Sequence, residues 1–111
     1  MVFSDKLVAH YRELKLEAED TILLMQVGAF MQTMDDDARI ISTLTGLKLQ
    51  MADHVDSPVV VGGFLKSGLD FYVGRLVRAG HSVAIALQNE NKVRKIAEIV
   101  ILYCTISLQL L

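Results

Sequence analysis

The chain has few of the residues that build covalent or metal-based sites. Cys104 is the single cysteine among 111 residues, so no disulfide can form within the chain, and a reducing, cytoplasmic compartment is expected. Its apolar neighbours predict a buried and unreactive thiol. His10, His54 and His81 lie far apart in the sequence without cysteine partners, which gives no support for a zinc site.

The chain also lacks a surplus of positive charge. It carries 11 basic and 13 acidic residues, a formal net charge of −2 and a pI of about 5.8. A domain that binds DNA by itself usually presents a basic face, because Lys and Arg supply most of the non-specific affinity for phosphates. The acidic balance therefore argues against autonomous DNA binding, unless a local basic patch exists.

Long apolar runs are missing as well. The longest uncharged run covers residues 99–111, which is shorter than the roughly 20 residues that a membrane-spanning helix requires. The N-terminal residues mix charges with apolar positions and lack the apolar segment of a signal peptide. We therefore expect no membrane segment. With 52% apolar and 22% charged residues, the chain is expected to be a single globular domain over residues 1–111.

The spacing of the apolar residues predicts three helices and about six strands. Helices are expected at residues 5–18, 38–44 and 67–79, and strands at residues 21–27, 30–34, 47–51, 59–61, 83–87 and from 93 onward. This order predicts an α+β fold in which a mixed β-sheet of about six strands packs against three helices. The continuous apolar strand at 83–87 is expected to be central and covered on both sides.

Capping and turn residues mark several of the predicted boundaries. Ser4 is expected to cap the first helix, and Gly46 to end the second. Ser67 and Asp70 have the spacing of a capping box for the third helix. The strand that begins after Pro58 is expected to break at the glycines at 62 and 63.

Three consecutive aspartates, Asp35, Asp36 and Asp37, precede the second helix. Neighbouring side chains on a helix or strand do not face one point, and no His or Glu at ligand spacing accompanies them, which disfavours a metal site. Carboxylates are favoured at a helix N-terminus because unpaired amides and the helix dipole stabilise them there. The aspartates are therefore predicted to cap the helix.

Residues 22–38, ILLMQVGAFMQTMDDDA, resemble the N-terminal mismatch-recognition domain (domain I) of the MutS DNA mismatch-repair family, in which an apolar strand is followed by Gly-Asp-Phe-Tyr-Glu and Tyr-Asp-Asp-Ala. Residues 11–15 are similar to the Tyr-x-x-Leu-Lys of the family's first helix. Residues 76–80 match its Leu-Val-x-x-Gly, and residues 82–88, SVAIALQ, are close to its Ser-Val-Ala-Ile-Cys-Glu-Gln strand. The similarity extends in order and spacing over residues 8–100.

The resemblance implies a DNA-contacting pair at Phe30 and Gln32. In the family, the Phe of a Phe-x-Glu motif stacks on a mispaired base, and the Glu forms a hydrogen bond with it. Here the phenyl ring is kept, the carboxylate is a carboxamide, and Ala29 and Met31 replace the family's Asp and Tyr. The alternatives are that Phe30 is a core or edge-strand aromatic and that Gln32 is a surface amide.

Two functions remain open from the sequence. The first is a free-standing mismatch-recognition-like module that binds duplex DNA with mismatches. The second is a protein-interaction module that forms a homodimer through its apolar C-terminal strand at 99–111, where the family has a Thr-Pro-Gly turn. No Walker A pattern and no nucleophile-base spacing occurs, so neither enzyme activity nor a cofactor is expected. The family's ATPase would need a separate partner chain, which the sequence does not identify.

Overall fold

The structure, a computed structural model, describes residues 3–52 and 58–101. Its helices are α1 (Asp5–Leu16), α2 (Asp35–Thr45) and α3 (Leu69–Arg78), with a short 3-10 helix at Lys66–Gly68. Its strands are β1 (Ile22–Val27), β2 (Phe30–Met34), β3 (Gln50–Met51), β4 (Val60–Leu65), β5 (Val83–Gln88) and β6 (Arg94–Val100). The predicted α+β architecture and element order are confirmed. His54, Cys104 and most of the predicted apolar tail lie outside the described residues.

All six strands form one mixed sheet in the order β3-β4-β2-β1-β5-β6. Strands β1 and β5 run parallel, whereas every other neighbouring pair is antiparallel. Strand β5 lies between β1 and β6 and is buried from Val83 to Ala86, which confirms the prediction of a covered, interior strand. None of the helices in the described part of the chain is long and apolar enough to cross a membrane.

Helices cover both faces of the sheet. One apolar cluster lies between the sheet and α1, and a second lies between the sheet and the pair α2 and α3. The alternation of side chains along β1 shows the division, because Leu23 and Met25 belong to the first cluster while Ile22 and Leu24 belong to the second. The domain therefore has three layers, with a sheet whose central strands are apolar on both faces.

Two of the predicted helix caps are confirmed, and the predicted capping box is wrong. The Ser4 side chain accepts a hydrogen bond from Leu7 N–H at 3.2 Å, and Gly46 ends α2 with a left-handed φ of 78°. The capping box at Ser67 is wrong, because Ser67 lies in the 3-10 helix and Gly68 occupies the N-cap position of α3 without a side-chain bond. The 3-10 turn delays the start of α3 to Leu69.

The glycines of β4 permit close packing and do not break the strand. Strand β4 continues through Gly62 to Leu65. Of the segment predicted as a strand at 47–51, only the two residues of β3 pair with β4. Leu47 and Leu49 lie over Gly62, where an added Cβ would come within 3.0 Å of a δ-carbon of each leucine. The side chains of Leu47 and Leu49 therefore pack over the sheet. Residues 47–49 do not pair with β4, so the strand prediction for them is wrong.

Candidate nucleic-acid interface

Phe30 lies at one end of the sheet, on the first residue of β2. It pairs with Val27 of β1 on one side and with Leu65 of β4 on the other, so β2 is an interior strand. The phenyl ring is half-buried, while Gly28 and Ala29 directly before it are exposed. Phe30 is therefore neither an edge-strand residue nor fully enclosed in the core, and part of its surface is accessible beside an exposed turn.

Gln32 lies two residues further along β2 and is 0% exposed. Its pairing with Met25 places it on the sheet face that α1 covers, which by alternation is also the face of Phe30. The alternative that Gln32 is a surface amide is wrong, because this residue is fully buried on the sheet face that α1 covers. Its predicted hydrogen bond with a base stays a prediction.

The turn between β1 and β2 is held by side chains from two strands. Gly28 has a φ of 61°, and a positive φ at the first of the two turn residues is the pattern of a type II′ hairpin turn. Gln26 Nε2 donates to the Gly28 carbonyl at 3.0 Å, and Gly28 N–H donates to Gln88 Oε1 at 2.8 Å. Lys66 N–H donates to the Ala29 carbonyl at 2.8 Å. Both residues of the turn are thus fixed by hydrogen bonds.

Arg94 connects β6 to the end of β1, just before the turn. Its Nε donates to the Gln26 carbonyl at 2.6 Å, and its Nη1 lies 3.4 Å from His10 Nδ1 on α1. Burial lowers the pKa of the Arg94 guanidinium, which nevertheless keeps its charge because arginine is not deprotonated in proteins. Sequence reasoning missed Gln26 and Gln88, since only the parallel pairing of β1 with β5 brings them together.

This end of the sheet is more basic than the chain as a whole. The segments that meet here are the β1–β2 turn, the end of β4 with the 3-10 helix, and the β5–β6 turn. Within residues 26–30, 65–68 and 88–95 the basic side chains are Lys66, Lys92, Arg94 and Lys95, and the acidic one is Glu90. Basic side chains therefore outnumber acidic ones at the end of the sheet that carries Phe30, on a chain whose net charge is −2.

A buried polar network lies at the opposite end of β1. The Tyr11 hydroxyl is 2.7 Å from the Leu23 carbonyl oxygen and 2.8 Å from Asp37 Oδ2, two acceptors for its one proton. Leu23 N–H donates to Asp37 Oδ2 at 3.1 Å, and the Lys15 ammonium lies 3.0 Å from the Asp37 carboxylate. The β1–β2 ladder stops at Met25, so these side chains satisfy the backbone of Leu23 where the two strands separate.

The three aspartates point to different cations. Asp35 pairs with Arg12 at 3.3 Å, Asp36 with Arg39 at 2.8 Å, and Asp37 with Lys15. They form the first turn of α2 and do not precede the helix as predicted, although the favourable position of a carboxylate near the dipole is the same. No group of three or more His, Cys, Asp or Glu side chains placed to hold a metal occurs in residues 3–52 and 58–101.

The stability of the domain is expected to fall above about pH 10 because of Tyr11. Burial and the nearby Asp37 carboxylate raise the pKa of Tyr11 well above its ordinary value of 10.0. The unfolded chain therefore loses this proton first, and folding then requires proton uptake, which destabilises the native state by up to about 1.4 kcal/mol per pH unit. Urea unfolding between about pH 8 and pH 11 measures this slope. The slope should be shallower for Tyr11→Phe, and parallel slopes would contradict the expectation.

The fold and its two ends define a class: a three-layer α+β domain with a structured turn at one end and a buried polar network at the other. The model of MutS domain I matches residues 5–105, and the chain belongs to this family. The predicted family is confirmed. The residues that carried the resemblance divide between the two ends, with Phe30 at the turn and Tyr11, Lys15 and Asp37 in the network.

Curated relatives agree with this assignment. The DNA mismatch repair protein MutS of Porphyromonas gingivalis is 37% identical over 91 residues, which cover 81% of this chain and 10% of that protein. MutS of Methanothrix thermoacetophila is 34% identical over 93 residues, covering 82% and 11%. MutS of Chloroflexus aurantiacus is 38% identical over 88 residues, covering 70% and 9%. The chain thus spans about a tenth of the length of the relatives it matches.

Proposed function

We propose that this chain is a DNA-binding module of the mismatch-repair type, without catalytic activity, that contacts a mispaired base through Phe30. The observation that carries this proposal is the position of Phe30, half-buried beside the exposed Gly28–Ala29 turn at the basic end of the sheet. The relatives of this chain are DNA mismatch repair proteins, which supports the choice of DNA as the ligand.

The physical basis of discrimination is the cost of opening a base step. An apolar ring inserted between bases requires a few kcal/mol of unstacking, and less at a mismatch, where stacking and pairing are already weakened. The exposed side chains of Lys66, Lys92 and Lys95 are available to neutralise phosphates, which gives affinity for any duplex. In this proposal the lysines provide affinity for any duplex, and Phe30 distinguishes a mismatched duplex from a matched one.

Gln32 is the second residue proposed for base recognition. It lies on the same sheet face as Phe30, and its carboxamide can both donate and accept a hydrogen bond. Because its side chain is fully buried, contact with a base requires the side chains that cover it to move. Phe30 is therefore assigned the first contact with the DNA, and Gln32 a contact that forms only after this rearrangement.

The proposal is tested with the 111-residue chain alone, in mobility-shift assays at low salt on matched duplexes and duplexes with one mismatch. We expect both to bind at tens of micromolar protein or below, with the mismatched duplex bound about tenfold more tightly. Added salt should weaken both, with a log–log slope of about −0.9 for each phosphate contact. Absence of binding at tens of micromolar, or equal affinity for the two duplexes, would refute a free-standing mismatch-recognition role.

A second candidate function is homodimerisation, and the exposed edge of β6 favours it. Within the described residues β6 has a neighbouring strand on one side only. Ile99 is 52% exposed and Ile101 is 46% exposed near its C-terminal end, and an exposed apolar edge can pair with another copy. Lys95 and Glu98 on the same strand protect the rest of the edge, which would confine the contact to the apolar end.

If this dimer forms, sedimentation should show it at high micromolar concentration and Ile99→Lys should convert it to a monomer, because a charge would be buried at the contact. Leu16→Lys is the matched control, since Leu16 is 72% exposed on α1 and away from this edge. A wild-type chain that stays monomeric at high micromolar concentration rules the dimer out.

A further inference from the structure

The backbone ladder between β1 and β5 ends before the strands do. The parallel pairing stops at Met25 and Ala86, although β1 continues to Val27 and β5 to Gln88. Beyond that point, Gln88 N–H donates to Gln26 Oε1 at 2.8 Å, and Gly28 N–H donates to Gln88 Oε1 at 2.8 Å. The two glutamine side chains therefore replace the missing backbone bonds and extend the connection as far as the turn.

The same side chains fix the turn from both directions. Gln26 uses its Nε2 for the Gly28 carbonyl while its Oε1 accepts from Gln88, so each end of its carboxamide is engaged. Arg94 reaches from β6 to the Gln26 carbonyl, which immobilises the backbone just before the turn. Gly28 consequently has both its N–H and its carbonyl hydrogen-bonded. Its φ is positive, and the backbone pairing of β1 with β2 does not by itself impose this conformation.

We propose that Gln26, Gln88 and Arg94 are positioning residues that hold the Gly28–Ala29 turn in one conformation, so that Phe30 meets the DNA as a fixed wedge. This inference rests on the proposed function of Phe30. None of the three needs to touch a base. Their contribution is to order the turn before binding, so that the conformational entropy of the turn is not lost when DNA arrives.

A fixed ring discriminates better than a mobile one. If the turn is rigid, a matched duplex can bind tightly only when its bases unstack around the ring, so the full difference in unstacking energy appears in the affinities. If the turn is mobile, the ring can move aside, and the lysines can hold a matched duplex without unstacking it. Loosening the turn should therefore reduce the ratio of mismatched to matched affinity.

The variant pair Gln88→Ala and Gln88→Glu tests the first step without DNA. Alanine removes the acceptor for Gly28 N–H, whereas a glutamate oxygen can still accept this bond. Amide hydrogen exchange of Gly28 and Phe30 should accelerate several-fold in Gln88→Ala and remain near wild type in Gln88→Glu. Equal exchange rates in wild type and Gln88→Ala would show that Gln88 does not hold the turn and would overturn the inference.

The second step measures the ratio of mismatched to matched affinity for the same three proteins. We expect Gln88→Ala to lower this ratio about fivefold and Gln88→Glu to retain it, because the added charge acts on both duplexes alike. If wild type binds the two duplexes equally, the proposed function is refuted. The positioning residues then have no role in base recognition, even if amide hydrogen exchange shows that they fix the turn. A discriminating wild type with an unchanged ratio in Gln88→Ala overturns the positioning role alone.

Discussion

Replacing Asp37 by asparagine is expected to lower the free energy of unfolding by about 3 kcal/mol, since removal of one partner from a buried ion pair typically costs about 3 to 5 kcal/mol. Asp37 is 5% exposed and accepts hydrogen bonds from Tyr11, Lys15 and Leu23 N–H. The asparagine oxygen can still serve some of these donors, but its amide group would face the Lys15 ammonium, donor against donor. Lys15 retains partial exposure, which places the expected loss at the low end of the range.

The preceding residue provides a matched control. Asp36 has the same side chain in the same helical turn, but its side chain is 90% exposed and pairs with Arg39 across one turn. Such surface pairs contribute little, so Asp36→Asn should change the free energy of unfolding by less than about 0.5 kcal/mol. Urea unfolding monitored by circular dichroism measures both variants. Equal effects at the two positions would show that the buried network does not stabilise the fold.

The architecture could be predicted from the sequence, because hydrophobic periodicity and the family resemblance both indicate the order of helices and strands along the chain. It also identified Tyr11, Lys15 and Asp37 as residues typical of the family, yet it could not predict what they do. Their role depends on the separation of β1 from β2 beyond Met25, which leaves the Leu23 N–H and carbonyl without partners in β2. A gap in a sheet of this kind has no signature in the local pattern of apolar residues.

The burial of Gln32 illustrates a second limit. Strand β2 contains polar residues at both Gln32 and Thr33, and alternation usually assigns one such neighbour to the solvent. Because helices cover both faces of this sheet, both residues are buried, and the Thr33 hydroxyl lies 3.4 Å from the Tyr11 hydroxyl. The exposed or buried state of a polar strand residue therefore required knowledge of the layers.

The net charge of the chain does not describe the local charge at the end of the sheet that carries the β1–β2 turn. The acidic balance argued against DNA binding, while the fold collects basic residues at one end and most of the paired aspartates at the other. Only the strand order could show this, since Lys66 and Lys92 are separated by a helix and a strand in sequence. Electrostatic arguments about a binding function depend on this local distribution.

Phe30→Ala is expected to weaken binding to a mismatched duplex about tenfold, because stacking of an aromatic ring on a base contributes about 1 to 3 kcal/mol. Matched affinity should change less than about twofold, since phosphate contacts supply most of it. Phe30→Leu keeps most of the apolar volume that packs beside Val27 and Leu65 but removes the aromatic face. It should show a similar loss while retaining the stability of the wild type, which separates stacking from folding.

Phe71 provides the matched control for the same side-chain truncation. It is 51% exposed on α3, packs edge-on against Tyr72 at 5.2 Å between ring centroids, and lies under the Arg75 guanidinium. Phe71→Ala therefore removes an accessible aromatic ring of equal size that is not part of the turn, and both duplexes should bind within about twofold of wild type. If Phe30→Ala weakens the two duplexes equally, or if Phe71→Ala reproduces its selective loss, the turn does not distinguish mismatched from matched DNA.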